Sequence, residues 1–251
     1  MPTVYCNSID HIIWEESFHG SFFNRNQVQV WRIPVISDQE LLIKYESFLD
    51  PDESAQARAF HQEKDNRRFI TSRAALRFLL GKYLGKKPAE IRFGSGKNKK
   101  PILPDNEPLH LHYNVSHSGD WILFAMADIE IGIDIEKIDD QFGFEEILAT
   151  AFSQDEIDYL QKQKNPSETF YLWWTRKESM SKATGKGIDD NLRDIPCLDG
   201  LHQLADEIAG SVQAWAILSF PVEKQYIASL AYDSAIQHLR FAEINPHLVV
   251  Q

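Results

Sequence analysis

The pattern of apolar and polar residues divides the chain into short strands and amphipathic helices. Strands are predicted at 28–33, 111–115, 121–127, 130–136, 212–219, 226–232 and 236–243, and helices at 38–49, 65–84, 143–150, 153–163 and 166–184. These elements do not follow a βαβα order, which favours an α+β fold of two halves with antiparallel sheets. The predicted halves are residues 1–129 and 130–251, and the pattern predicts no element within residues 1–27 and 188–211.

The strand GIDIE carries the first candidate site. Over the predicted strand 130–136, which contains this motif, period-two alternation places Ile131, Ile133 and Ile135 on one face and Asp134 and Glu136 on the other. Same-face neighbours on a strand lie roughly 6 to 7 Å apart, a separation that one hard cation with oxygen ligands can bridge. The alternative is that both carboxylates simply face solvent.

The helix at 166–184 adds a third carboxylate. Trp174, Glu178 and Lys182 follow one another at intervals of four residues and so form one stripe. If this stripe faces the GIDIE strand, Glu178 completes a three-carboxylate metal site and Lys182 supplies an ammonium group for a phosphate. The alternative is an ordinary surface ion pair between Glu178 and Lys182.

Ser116 and His117 follow the predicted strand at 111–115. Adjacent strand side chains point apart, so the pair is a poor nucleophile and base. Both residues are better suited to donate hydrogen bonds to a phosphate group at a turn. An ordinary exposed histidine is the alternative.

Charge is distributed unevenly along the chain. The net charge is −11, yet residues 57–100 contain 13 Lys or Arg and three acids, a local balance of +10 that leaves −21 for the remainder. Such a segment favours an anionic partner, or is simply a solvated basic helix.

The loop at 93–101 lacks the GxxxxGK[ST] spacing of a nucleotide-binding loop. Its three lysines, together with Lys64, Arg67 and Arg68, nevertheless suit a multiply phosphorylated ligand.

The remaining composition restricts the class of protein. The sequence contains no run of 18 apolar residues and no basic, apolar start typical of a signal peptide. We therefore expect a cytoplasmic protein with no membrane partner. Cys6 and Cys197 are too few for a disulfide framework or a zinc site.

Three motifs, in this order, resemble the 4'-phosphopantetheinyl transferase superfamily. They are NVSHSG (114–119), GIDIE (132–136) and WTRKESMSKATGKG (174–187), supported by ARAF (57–60) and RRFITSRAALR (67–77). The resemblance is to the large monomeric type, which includes the enzymes that activate surfactin-like synthetases and the cyanobacterial heterocyst-glycolipid enzymes. It extends from about residue 28 to residue 190.

The resemblance implies a pseudo-dimer of two similar α+β halves with the active site in the cleft between them. It implies transfer of phosphopantetheine from coenzyme A to a serine of an apo acyl or peptidyl carrier protein, with release of adenosine 3',5'-bisphosphate. Mg²⁺ is the implied cofactor and coenzyme A the co-substrate. The enzyme is expected to be a monomer without a nucleic-acid partner, and residues 144–160, with Leu148 and Phe152, are the expected carrier contact. The alternative for Leu148 and Phe152 is that both side chains belong to the core.

The resemblance also assigns roles to individual residues. Asp134, Glu136 and Glu178 would bind Mg²⁺, and Glu178, Lys182 and His117 would act in catalysis. Contacts with coenzyme A are implied for Lys64, Arg68, Lys100, Ser116, His117, Lys177 and Lys182, with Arg67 as another candidate near the 3'-phosphate. Two departures from the family pattern, Lys99 in place of glycine and Glu53 and Gln56 in place of lysines, leave the 3'-phosphate ligands open.

Two other classes of function remain as alternatives. Clustered acids with a lysine also serve Mg²⁺-dependent phosphodiesterases and nucleases. A non-catalytic anion-binding module would use the basic segment alone. The first alternative predicts cleavage of a diester, and the second predicts salt-sensitive binding that does not need Asp134 or Glu136.

Overall fold

The computed structural model describes residues 1–16, 25–95, 101–104, 110–185, 192–210, 212 and 214–250. The strands within this part of the chain are β1 (Thr3–Ser8), β2 (Gln27–Pro34), β3 (Gly94–Ser95), β4 (Pro101–Ile102), β5 (His112–Ser118), β6 (Trp121–Ala127), β7 (Gly132–Lys137), β8 (Gly200–Gln203), β9 (Ala214–Glu223), β10 (Tyr226–Asp233) and β11 (His238–Glu243). The α-helices are α1 (Gln39–Glu46), α2 (Pro51–Ala59), α3 (Glu63–Leu84), α4 (Glu145–Ala151), α5 (Gln154–Leu160), α6 (Pro166–Thr184) and α7 (Asp206–Ala209). Short 3-10 helices cover Pro88–Glu90, Leu192–Asp194 and Pro246–Leu248.

Local sequence signals explain several helix ends. Asp38 caps α1 by accepting a hydrogen bond from Leu41 N at 2.7 Å. Gly85 ends α3 with a φ of +65°, a conformation that glycine adopts without a Cβ penalty. The predictions of α1 and α3 are therefore confirmed, although α1 is shorter than 38–49 and α3 begins earlier than residue 65.

Two main sheets form the body of the protein. The four-stranded sheet has the order β11-β2-β6-β5, and the five-stranded sheet has the order β7-β10-β9-β1-β8. Neighbouring strands in these sheets are antiparallel except for the pairs β1–β9 and β2–β11. The succession β2–α1–α2–α3–β5–β6 resembles the later succession β7–α4–α5–α6–β9–β10. The predicted α+β fold with two similar halves is thus confirmed.

The first and the last strand each pair with the sheet of the opposite half. β1 joins the five-stranded sheet beside β9, and β11 joins the four-stranded sheet beside β2. The predicted boundary between residues 129 and 130 therefore separates the central parts of the two sheets but not their terminal strands. The sequence pattern does not predict β1 or β8, because both strands acquire their pairing from distant parts of the chain.

Apolar side chains fill the layer between the sheets and the layers outside them. The layer between the sheets contains Val30, Leu123, Phe220 and the isoleucine face of β7. α1 and α3 pack on the four-stranded sheet, while α6 packs on β7, β9 and β10 of the five-stranded sheet. Among the described helices, none is both long enough and apolar enough to cross a membrane.

Candidate active site

The two sheets meet where β5 runs beside β7. Each of these strands is the outermost strand of its sheet. Every second side chain of β5 accepts a hydrogen bond from a backbone N–H group of β7. These N–H groups of β7 therefore have partners although the two strands form no backbone hydrogen bonds with each other. The bonds are Ile133 N to Asn114 Oδ1 (2.9 Å), Ile135 N to Ser116 Oγ (3.4 Å) and Lys137 N to Ser118 Oγ (3.0 Å).

Asp134 and Glu136 lie on one face of β7, as the period-two pattern predicts. Ser116 Oγ donates a hydrogen bond to Asp134 Oδ1 at 2.8 Å, and Ser118 Oγ donates one to Glu136 Oε2 at 2.8 Å. The opposite, isoleucine face is buried between the sheets. Asp134 is only 3% exposed, so the alternative of two freely solvated carboxylates does not hold.

Helix α6 packs directly against β7 because residue 132 is glycine. A Cβ atom at Gly132 would lie 1.9 Å from the Ser179 carbonyl oxygen and 2.5 Å from Ala183 N. Both distances are far shorter than a van der Waals contact, so any larger residue would push the helix away. The close approach brings the polar face of α6 over the carboxylates of β7.

Glu178 and Lys182 lie on this face of α6. Lys182 Nζ is 2.5 Å from Asp134 Oδ1 and 3.1 Å from Ser116 Oγ. Glu178 is 4% exposed and lies one helical turn before Lys182. Lys182 therefore pairs with the strand carboxylate, and the predicted stripe does face GIDIE.

The carboxylates perturb one another. Burial, followed by the negative charge of Asp134, raises the pKa of Glu178 to about 7 despite the opposing charge of Lys182. Burial and then Asp134 also raise the pKa of Glu136. The cluster has more negative charge than Lys182 alone can compensate.

The chemistry of this cluster fits a divalent cation. Asp134 Oδ2 and Glu178 Oε1 are buried and have no hydrogen-bond partner. Carboxylate oxygens of this kind are the ligands that hard cations prefer. Across the described residues, no three His, Cys, Asp or Glu side chains already converge on one metal position. A cation here would draw its remaining ligands from water or from a bound substrate, as Mg²⁺ commonly does.

A cavity of about 280 Å³ opens on the other face of β5, between this strand and α3. Its walls combine two arginines, a histidine and several aromatic or aliphatic side chains. They are Phe60, Asp65, Arg68, Phe69, Ser72, Arg73, Leu76, Val115 and His117. The cavity therefore offers both positive charge and apolar surface to a ligand.

His117 is an exposed residue that lines this cavity, on the face of β5 opposite to Ser116. Partial desolvation and then the neighbouring Arg68 guanidinium lower the pKa of His117 below its ordinary value. A neutral imidazole keeps one N–H for donation. The two side chains point apart, as alternation predicts, but the predicted turn at Ser116 and His117 is wrong because β5 continues to Ser118.

Lys177 does not reach this site. Its side chain is fully buried, and Lys177 Nζ lies 3.1 Å from Glu156 Oε2 and 2.5 Å from the Ile195 carbonyl oxygen. It also donates a hydrogen bond to Leu192 O at 3.0 Å. The expected contact of Lys177 with coenzyme A does not fit these surroundings, which belong to the core below α6.

The other basic candidates lie on α3 or outside the described residues. Arg68 lines the cavity and pairs with Asp65 at 2.7 Å, whereas Arg67 pairs with Glu63. Lys64 is exposed in the first turn of α3. Lys100 lies outside the described residues.

The expected carrier contact at residues 144–160 is only partly available. Leu148 is 8% exposed, and Phe152 is fully buried against Phe170 and Trp173. Both side chains belong to the core of the C-terminal half. Any carrier contact made by this stretch must use its exposed positions.

Sequence reasoning missed several residues around the site. Ser72 and Arg73 line the cavity, and Asn114 and Ser118 bond to β7. The alternation of Asn114, Ser116 and Ser118 is a period-two signal that could have identified the face turned towards β7. The basic segment points to Arg68 but not to the cavity as a whole, because the cavity walls come from α3, β5 and Phe60 together.

Comparison with known proteins places both halves in one family. A family model described as "4'-phosphopantetheinyl transferase superfamily" matches residues 130–231. A second model, described as "4'-phosphopantetheinyl transferase, N-terminal", matches residues 35–128. The two matches correspond to the two similar halves of the fold.

Individual relatives span most of the chain. The protein slr0495 of Synechocystis sp. is 31% identical over 201 residues, which cover 78% of this chain and 80% of the relative. The 4'-phosphopantetheinyl transferase HetI of Nostoc sp. is 31% identical over 210 residues, covering 82% and 87%. The 4'-phosphopantetheinyl transferase Sfp of Bacillus subtilis is 34% identical over 152 residues, covering 60% and 66%. On these matches, the chain belongs to the 4'-phosphopantetheinyl transferase superfamily.

Proposed function

We propose that this protein transfers the 4'-phosphopantetheine group of coenzyme A to a serine of an apo acyl or peptidyl carrier protein. The second product is adenosine 3',5'-bisphosphate. The observation that carries the proposal is the cluster of Asp134, Glu136, Glu178 and Lys182 on one side of β5, with a cavity lined by Arg68 and Arg73 on the other side of the same strand. Membership of the family supports the same reaction.

The cavity would hold the nucleotide end of coenzyme A. Arg68 and Arg73 offer positive charge for the 3'-phosphate, and the walls formed by Phe60 and Phe69 suit the apolar face of a purine. Lys64, exposed at the start of α3, and Lys100 remain further candidates. The imidazole of His117, which lines the cavity, would donate its N–H to a phosphate oxygen.

The carboxylates would hold Mg²⁺ next to the pyrophosphate. Asp134, Glu136 and Glu178 supply the oxygen ligands, and two of their buried oxygens have no other partner. Bound Mg²⁺ would neutralise charge that develops on the phosphoryl oxygens. Lys182 Nζ, which already contacts Ser116 Oγ, would donate to the same pyrophosphate.

The reaction is a phosphoryl transfer. The Oγ atom of the carrier serine forms a bond to the β-phosphorus of coenzyme A, and the bond from that phosphorus to the bridging oxygen breaks. The serine proton passes to Glu178, directly or through one water. Lys182 and His117 stabilise the negative charge by hydrogen bonding to phosphoryl oxygens.

One chain supplies both sides of this site. α3 and β5 come from the N-terminal half, whereas β7 and α6 come from the C-terminal half. The protein would therefore act as a monomer. We also assign the protein to the cytoplasm, without a nucleic-acid or membrane partner.

An acidic carrier protein would approach near the basic segment at 57–100, since the remainder of the chain is strongly negative and would repel it.

Intact-mass spectrometry tests the proposal directly. A panel of apo carrier proteins is incubated with this protein, coenzyme A and Mg²⁺, with and without a chelator. The expected result is a gain of one phosphopantetheine unit that the chelator prevents. Cleavage of a diester without transfer would favour the phosphodiesterase alternative. Salt-sensitive anion binding that survives Asp134→Asn, with no transfer to any carrier, would favour the binding module.

A further inference from the structure

The hydrogen bonds between β5 and β7 repeat with a regular chemical pattern. Asn114, Ser116 and Ser118 face β7 at every second position of β5. Each accepts a hydrogen bond from one backbone N–H of β7. The donors are residues 133, 135 and 137, which are also spaced by two. The two serines also donate their own hydroxyl hydrogens to β7.

The donated hydrogens go to the carboxylates. Ser116 lies opposite Asp134 and Ser118 lies opposite Glu136, each with an Oγ to carboxylate oxygen distance of 2.8 Å. A hydroxyl therefore accompanies each carboxylate of the strand. Each hydroxyl is itself oriented by the backbone N–H from which it accepts a hydrogen bond.

Ser116 and Ser118 differ in what else they touch. Ser116 Oγ also contacts Lys182 Nζ and lies inside the proposed pyrophosphate site. Ser118 bonds to Glu136 Oε2 and to the backbone N–H of Lys137. Glu136 is the least buried of the three carboxylates, so its rotamer is the one that most needs a fixed partner.

The turn after Ser118 is anchored from the other sheet. Tyr226, at the start of β10, accepts a hydrogen bond from Asp120 N at 3.1 Å and donates one to Asp120 Oδ2 at 3.0 Å. This pair of bonds fixes the connection between β5 and β6, and with it the end of β5. Ser118 is thus held at both its backbone and its hydroxyl.

We propose that Ser118 is a positioning residue that orients Glu136 towards the divalent cation without touching the substrates. This inference rests on the proposed function, because it assumes that Glu136 is a cation ligand. Groups that hydrogen-bond to a metal ligand typically change metal affinity by about 10- to 100-fold when they are removed. Ser118→Ala should therefore weaken cation binding by about 10-fold.

The test measures binding of Mn²⁺, used as a spectroscopic substitute for Mg²⁺. Free Mn²⁺ is quantified by electron paramagnetic resonance with the full-length protein in the presence of coenzyme A. The variants are Ser118→Ala, Ser118→Thr and the matched control Ser47→Ala, which removes an exposed hydroxyl at the end of α1. We expect weaker Mn²⁺ binding only for Ser118→Ala, and recovery with Ser118→Thr because the hydroxyl is restored.

A Glu136→Gln background separates positioning from a general effect on the fold. If Ser118 acts through Glu136, adding Ser118→Ala to Glu136→Gln leaves Mn²⁺ affinity unchanged. Wild-type Mn²⁺ affinity in Ser118→Ala, or an equal loss in both backgrounds, would overturn the inference. Failure of the wild-type protein to modify any carrier would count against the proposed function instead, because Mn²⁺ binding is measured without a carrier.

Discussion

Helix α6 carries two lysines that pair with carboxylates in opposite surroundings. The side chain of Lys177 is 0% exposed and pairs with Glu156, whose own side chain is 7% exposed. The side chain of Lys182 is 28% exposed and pairs with Asp134, whose side chain is 4% exposed. The chemistry of the two ion pairs is the same, but only the second pair is open to a ligand.

In the pair of Lys177 and Glu156, both carboxylate oxygens of Glu156 accept hydrogen bonds. Glu156 Oε1 accepts from Lys177 Nζ and from Cys197 Sγ at 3.0 Å, and Glu156 Oε2 accepts from Ser153 N at 2.9 Å. In the other pair, Asp134 Oδ2 has no partner, nor does the neighbouring Glu178 Oε1. A buried ion pair with all its oxygens bonded belongs to the fold, whereas buried carboxylate oxygens without partners indicate a site for a ligand.

Lys177→Met should produce the largest loss of stability. The change leaves Glu156 buried without its cation, which typically costs about 3 to 5 kcal/mol. The free energy of unfolding from urea titration should fall by this amount, while the protein that remains folded keeps its transfer activity. Normal stability with lost transfer would instead assign Lys177 to the active site.

Lys182→Met should lower transfer activity far more than stability, because Asp134 keeps its hydrogen bond from Ser116 and the lysine that is lost is itself partly exposed. Removal of one preorganised donor to a developing oxyanion typically lowers the rate by about 100- to 1,000-fold. Transfer to a carrier protein should fall within this range, measured by the rate of holo-carrier formation with Mg²⁺ in excess, and circular dichroism should be unchanged. Equal losses of stability in the two lysine variants would remove the distinction between the pairs.

Glu178→Gln should change how stability depends on pH. The pKa of Glu178 is about 7 in the folded protein and ordinarily 4.5. Below pH 4.5 both the folded and the unfolded chain keep the proton, so the residue does not alter the free energy of unfolding. Between pH 4.5 and 7 only the unfolded chain loses the proton, and the free energy of unfolding falls as pH rises, by about 3 kcal/mol in total. Above pH 7 the cost is constant.

The uncharged side chain introduced by Glu178→Gln removes this cost. The variant should therefore be more stable than the wild type at pH 8 and equal to it at pH 4. Urea unfolding of both proteins at both pH values, in chelator and without coenzyme A, measures the difference. If Glu178→Gln and the wild type lose stability equally between pH 5 and pH 7, the environment described for Glu178 is wrong.

Gly132→Ala should disturb the Lys182 pair while leaving the Lys177 pair in place. The added Cβ overlaps the backbone of α6 near Ser179, and overpacking of this kind typically costs about 1 to 3 kcal/mol. Thermal unfolding temperature and transfer rate should both decline. Gly143→Ala is the matched control, because its Cβ would meet only the end of the Glu145 side chain at 3.4 Å.

Sequence patterns predict the elements whose signals are local. Period-two alternation identifies both faces of β7, and the stripe of Glu178 and Lys182 faces it as expected. The predicted bounds of α6, 166–184, are those that the structure shows. These signals depend only on spacing along one element.

The remaining features depend on contacts between distant segments. β1 is a strand because it lies between β8 and β9, which the N-terminal sequence does not reveal. The burial of Lys177 depends on the carbonyl groups of Leu192 and Ile195, which lie beyond the end of α6. Family resemblance assigns Lys177 to the coenzyme A contacts, whereas the helical stripe of Trp174, Glu178 and Lys182 does not include it. The physical pattern is the better guide at this position.

We propose that the carboxylates of β7 and α6 bind the cation used in phosphopantetheine transfer. The most direct measurement is the Mg²⁺ dependence of holo-carrier formation by the wild type and by Asp134→Asn, followed by intact-mass spectrometry. We expect that Asp134→Asn retains its fold but forms no holo-carrier at any Mg²⁺ concentration. Holo-carrier formation at the wild-type rate by Asp134→Asn, with the same Mg²⁺ dependence, would contradict it.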